Sequence, residues 1–130
     1  MGKTAVFTLG VLDQIKVPGP PLQALVLCHT RELAHQIAKE FDRLGKFLEG
    51  LKIQTIYGGV NEQAQILKLK NEPPQVVIGT PGRTLALIRK KKLVFDSLKF
   101  FVLDECDKIL ERYGMYFFIG LKAERLTGKG

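Results

Sequence analysis

The sequence predicts an α/β fold built on a parallel sheet, on two observations. Short, continuous apolar runs recur along the 130 residues, each of strand length and each broken at once by polar residues. Segments with helical periodicity separate them, so strand and helix alternate as βαβ units with helices on both faces of the sheet. The last run, Leu98 to Leu103, is followed directly by Asp104-Glu105-Cys106-Asp107. It reads as a strand buried on both faces, with its acids at the carboxyl edge, where open α/β sheets bind ligands.

The elements follow in order. Ala5 to Ile15 is apolar around most of its circumference, which predicts a helix covered on nearly all sides, stopped by Val17-Pro18-Gly19-Pro20-Pro21. Ala24-Leu25-Val26-Leu27-Cys28 is the first strand. Thr30 stands where it can cap a long helix in which Leu33, Ile37, Phe41, Leu44 and Leu48 share a face, with Glu32 complementing the dipole and Gly50 closing the end. Lys52 to Tyr57 alternates more than the other runs, which places it nearer an edge, and it enters Gly58-Gly59. Asn61 can cap a helix through Lys70, ended by Pro73-Pro74. Val76-Val77-Ile78-Gly79 is the next strand, and Thr80-Pro81 starts a helix through about Lys91. Beyond Asp107 a helix continues through Arg112, and the pattern after Gly114 predicts no particular element.

Composition sets bounds on function. The length suits one domain, and 45% hydrophobic with 25% charged residues is globular usage. No apolar stretch approaches the roughly 18–20 residues of a membrane span, and no cleavage site follows the amino terminus, so a soluble, non-secreted chain is expected. Cys28 and Cys106, each in or ending an apolar run, read as small buried side chains in a reducing compartment. A net charge of +7 favours a polyanionic partner, although a run such as Arg89-Lys90-Lys91-Lys92 also reads as a solvated face.

Four stretches carry candidate chemistry. Gly2-Lys3-Thr4 opening a helix is either a plain terminus or the second half of a phosphate loop, with Lys neutralising phosphate and Thr ligating magnesium. Asp104, Glu105 and Asp107 are either dipole-complementing helix acids or the magnesium and water-orienting carboxylates of an ATPase. Thr80-Pro81-Gly82-Arg83 is either an ordinary strand-to-helix turn or an anion site in which small Gly82 admits a phosphate beside Arg83. Gly58-Gly59 is either a simple turn or a binding loop, and a turn is the commoner use of such a pair. His29 and His35 lack partners at metal-binding spacing.

Taken together and in order, Gly2-Lys3-Thr4, Thr30-Arg31-Glu32-Leu33-Ala34, Gly58-Gly59, Thr80-Pro81-Gly82-Arg83 and Asp104-Glu105-Cys106-Asp107 resemble the first RecA-like domain of DEAD-box RNA helicases. Cys106, and Cys28-His29 ahead of Thr30, resemble the Asp-Glu-Cys-Asp subgroup of spliceosomal and mRNA-export helicases. The resemblance implies a RecA-like P-loop NTPase domain over residues 1–111, incomplete at both ends, with a divergent tail over 112–130. It implies ATP and Mg2+ as cofactors: Gly2, Lys3 and Thr4 would hold phosphates, Thr4 and Asp104 the magnesium, and Glu105 the hydrolytic water. Asp107 would couple nucleotide state to a partner domain. Thr30, Arg31, Gly58, Gly59, Thr80, Gly82 and Arg83 would contact the backbone of single-stranded RNA. Splicing and export proteins as partners, and the nucleus as location, follow from the subgroup.

The family's glutamine motif, first strand and Gly-rich half-loop would precede Met1, and its Ser-Ala-Thr motif and second domain would follow, so a fragment is expected. Such a fragment would be marginally stable, since the apolar strands would keep unpaired edges, and inactive alone, since the γ-phosphoryl group would lack parts that position and stabilise it. A non-catalytic module binding RNA or partners is the alternative. A dinucleotide-binding Rossmann enzyme is disfavoured, because no Gly-x-Gly-x-x-Gly follows a strand.

Overall fold

The computed structural model describes residues 2–93 and 95–103. Its elements run α1 (Gly2–Gln14), β1 (Ala24–Leu27), α2 (Arg31–Leu44), β2 (Ile53–Ile56), α3 (Glu62–Asn71), β3 (Val76–Gly79), α4 (Pro81–Arg89) and β4 (Phe100–Leu103). The four strands form one parallel sheet in the order β2-β3-β1-β4. Because every pairing is parallel, the loops leaving β1, β2 and β3 emerge at one edge of the sheet.

The apolar runs become the central strands for the reason the sequence suggests. β1 and β3 are buried at every position, so Val, Leu and Ile fill both faces. On one face Val26, Cys28, Val76 and Ile78 pack with Val11, Leu12 and Ile15 of the α1 region and with Ala34, Ile37 and Phe41 of α2. On the other face Leu25, Leu27, Ile56 and Val77 pack with Leu87 of α4, Leu93 and Phe95, flanked by Ile66 and Leu69 of α3. Helices therefore cover both faces, giving three layers. Alternating burial puts Gln54 and Ile56 inward on β2, which forms one edge of the sheet, as its sequence alternation predicts.

Several expectations change. β4 is expected to be buried on both faces, but among the described residues it pairs only with β1, and Phe100, Phe101 and Val102 are half-buried. The first helix is not covered all round, since Leu9 is 50% exposed. Helix α2 stops at Leu44 rather than running through Leu48 to Gly50. Gly45 takes the C-cap, because a Cβ there would come within 2.5 Å of Leu51 Cδ2 and 2.7 Å of the Phe41 carbonyl oxygen. Leu48 instead closes a turn onto the Gly45 carbonyl at 2.9 Å. Helix α4 ends at Arg89 because Lys91 adopts φ +58°; Lys91 and Lys92 N–H then donate back to Ile88 and Leu87 carbonyls, a Schellman closure without glycine. The expected helix after Asp107 lies outside the described residues.

Buried glutamines hold the connections. Gln23 accepts from Lys16 N–H at 2.8 Å and donates to the Lys16 and Pro20 carbonyls at 2.9 and 2.8 Å, so one side chain secures the Pro/Gly-rich crossing into β1. Gln75 does the same for the start of β2, accepting from Lys52 N–H at 2.8 Å. Each replaces backbone pairing that the loop itself cannot supply.

Candidate functional site

The sheet order brings three sequence motifs together at its carboxyl edge. Gly58-Gly59 follows β2, Thr80 to Arg83 follows β3, and Thr30-Arg31 follows β1, so they stand in that order across adjacent strands, about 10 Å from first to last at ordinary strand spacing. The edge is stitched, with Thr80 N–H donating to the Ile56 carbonyl at 2.9 Å and Cys28 N–H to the Gly79 carbonyl at 3.0 Å.

The α2 start is conventionally capped. Thr30 is extended, and its hydroxyl accepts from Leu33 N–H at 3.0 Å. Arg31 is exposed, and its guanidinium centre lies 4.8 Å from the centroid of the Tyr57 ring, a cation–π arrangement. Tyr57 in turn bonds His35 through its hydroxyl and Nε2 at 3.1 Å, the rings edge to face. His35 is thus an exposed helix residue with a local partner. Among the described residues, no group of three His, Cys, Asp or Glu could hold a metal.

The α4 start differs. Thr80 is again extended, but its hydroxyl makes no cap bond, and Pro81 occupies the first turn. Thr80 thus stands at the N-cap position without spending its side chain there, and its hydroxyl is left out of the cap. A Cβ on exposed Gly82 would meet nothing within 4 Å, so the approach to the first-turn amides is open. Gly58 and Gly59 are equally open, and Gly59 needs its glycine, at φ +85°.

Arg83 is tied inward. Its Nη1 donates to Gln65 Oε1 at 2.7 Å and its Nη2 to the Val60 carbonyl at 3.1 Å, while Nε stands 3.9 Å from Glu62. Glu62 also pairs with Lys90, and this hydrogen bond holds its carboxyl below the usual glutamate range, with help from the charges of Lys90 and Arg83. Gln65, Glu62 and Tyr57 were missed by sequence reasoning. Only Tyr57 carried a signal, as an aromatic at the end of an edge strand beside the glycine pair.

Gly2, Lys3 and Thr4 form the first turn of α1, which carries no acid. A first turn that holds no acidic residue of its own, at the positive end of the helix dipole, suits phosphate. Asp104, Glu105 and Asp107 lie outside the described residues. A cavity of about 360 Å³ lined by Leu22, Ile66, Leu69, Pro74 and Lys92 among others belongs to the opposite edge, among segments that precede β1 and β3.

A model of the DEAD/DEAH box helicase family matches residues 1–122. The chain belongs to that family. Among its relatives, the DEAD-box ATP-dependent RNA helicase 15 of Arabidopsis thaliana is 53% identical over 88% of this chain and 27% of its own length. The human ATP-dependent RNA helicase DDX39A is 48% identical over the same shares. The crystal structure of the yeast DEAD-box splicing factor Prp28 superposes with a TM-score of 0.81 at 27% identity, covering 94% of this chain and 30% of that one. The α/β parallel-sheet expectation is thereby met as a partial RecA-like DEAD-box domain. The chain spans about a quarter of the length of the curated relatives it matches.

Proposed function

We propose that this chain forms part of the first RecA-like domain of an ATP-dependent RNA helicase of the Asp-Glu-Cys-Asp subgroup, and that its carboxyl edge grips the backbone of single-stranded RNA. The observation that carries this reading is the row of three motif loops on adjacent strands. Open amides at Gly82, the uncapped Thr80 hydroxyl, the exposed glycine pair and the exposed Arg31 make a strip of donors and positive charge. Such a strip suits phosphodiester oxygens and reads no base, so binding is independent of sequence. Thr30, Arg31, Gly58, Gly59, Thr80, Gly82 and Arg83 all belong to this edge.

ATP and Mg2+ are the proposed cofactors. Gly2, Lys3 and Thr4 would hold the phosphates, Thr4 and Asp104 the metal, and Glu105 the attacking water, with Asp107 coupling to a second domain. Magnesium-bound ATP would supply the γ-phosphoryl group and the free energy that drives domain closure. Residues 1–111 are read as the domain portion and 112–130 as a divergent tail, with the family match running on to residue 122. Cys106 and the similarity to DDX39A and Prp28 support a nuclear role in splicing or mRNA export, with proteins of those assemblies as partners.

Fluorescence anisotropy with a labelled oligouridylate tests the RNA reading: the full 130-residue chain is expected to bind at low salt, and a chain that fails to bind overturns it. For these 130 residues assayed by themselves, RNA binding without ATP turnover is expected, since γ-phosphoryl stabilisation also draws on the second domain proposed above. Turnover that disappears in Glu105→Gln would contradict that expectation and establish catalysis within the chain.

A further inference from the structure

Arg83 sits at the edge where RNA is proposed to bind, yet all three of its guanidinium nitrogens face protein acceptors: Gln65 Oε1, the Val60 carbonyl and Glu62. Its side chain is only 14% exposed. Gln65 is buried in α3, and its own Nε2 donates to the Tyr57 carbonyl at 3.2 Å. Its main-chain carbonyl accepts from the buried Gln54 of β2 at 3.1 Å. The glycine pair is therefore held from both sides, Tyr57 by Gln65 on its entry and Val60 by Arg83 on its exit. Gly58-Gly59 has no side chain with which to fix itself, and adjacent glycines carry the largest backbone freedom in a chain.

We propose that Gln65 and Arg83 form an internal brace that sets the Gly58-Gly59 turn against the start of α4, which makes Gln65 a positioning residue for the RNA grip and Arg83 a strut rather than a phosphate ligand. Arg is the residue for this task because its planar fork reaches two acceptors at fixed geometry, which a lysine cannot do. A phosphate that took Arg83 would leave the carbonyl of Val60 and the amide oxygen of Gln65 without their donors. The role in RNA binding rests on the reading given under Proposed function, whereas the brace stands on the geometry alone.

Two measurements on the full chain test it. In the first, oligouridylate affinity is followed against salt for Gln65→Ala, Arg83→Ala, the double variant and Arg83→Lys. The brace predicts losses of about 3–10-fold for each single variant, a double variant no worse than the poorer single, an unchanged salt slope, and no rescue by Arg83→Lys. A direct phosphate contact predicts a slope lower by about 0.7 in Arg83→Ala, rescue by Arg83→Lys and little effect of Gln65→Ala, and would overturn the proposal. In the second, {1H}-15N heteronuclear NOE values at Gly58, Gly59 and Val60 are compared without RNA. The brace predicts that they fall in Gln65→Ala, in Arg83→Ala and in the conservative Arg83→Lys, while β1 and β3 amides keep their wild-type values; unchanged values at the turn overturn it. If the turn loosens but the wild-type chain binds no RNA, the RNA reading fails and with it the positioning role.

Discussion

Helices α2 and α4 begin alike in sequence, each with a strand, a threonine and then an arginine within the first turn, but the two starts are put to different uses. At α2 the threonine hydroxyl is committed to Leu33 N–H and the arginine is exposed. At α4 the threonine hydroxyl is left out of the cap and the arginine is committed to Gln65 and Val60. The same two residue types are thus committed to the fold in opposite senses at the two starts. A Thr-to-helix junction alone does not reveal which of its groups are available.

The largest break in this comparison is expected at the strand ends. Gly79 precedes Thr80, whereas its registered neighbour on β1 is the full-sized Leu27. A Cβ at Gly79 would fall 2.1 Å from Thr84 Oγ1 and 3.2 Å from the Ile56 carbonyl, so Gly79→Ala should destabilise the fold by about 2–3 kcal/mol, measured by urea unfolding. An unchanged midpoint would mean that the α4 start is looser than described.

The threonines come next. Thr30→Ala should cost about 1 kcal/mol through loss of the cap and weaken RNA binding only slightly. Thr80→Ala should leave stability within about 0.5 kcal/mol and lower oligouridylate affinity more than Thr30→Ala does. Equal stability losses would erase the distinction between the two starts.

The far end of α4 offers a smaller effect of opposite sign. Lys91→Gly should stabilise by about 0.5–1 kcal/mol, because glycine carries no steric penalty at φ +58°. Smallest is the pH dependence of the Glu62 ties. Its carboxyl is held below the usual range by Lys90 first, so their contribution is complete above the unfolded value of about 4.3 and fades as pH falls through the lower folded value. Carbon-detected NMR titration of Glu62 should give a midpoint below that of an unpaired glutamate, rising toward it in Lys90→Ala.

Much of the fold was legible because it depends on local signals. Four apolar runs cut off by polar residues mark the strands, the alternation of Lys52 to Tyr57 marks an edge, and Asn61 marks the start of α3, where its Oδ1 accepts from Ala64 N–H at 2.9 Å. Helix ends were less legible. The apolar face through Leu48 continues past the close approach at Gly45, and Lys91 closes α4 without the glycine that announces such a turn. The brace was invisible, since Gln65 and Arg83 are 18 residues apart and meet only once α3 and α4 share a face of the sheet. The open space at Gly58, Gly59 and Gly82, by contrast, was suggested by the sequence, since residues without a Cβ leave their backbone amides uncovered.

The most direct measurement compares the salt dependence of oligouridylate binding by Arg31→Ala and Arg83→Ala. Arg31→Ala is expected to lower the slope of log K against log salt by about 0.7, the amount expected when a single phosphate is no longer neutralised, while Arg83→Ala weakens binding at the wild-type slope. A lowered slope in Arg83→Ala with an unchanged one in Arg31→Ala would reverse the roles of the two helix starts and contradict that expectation.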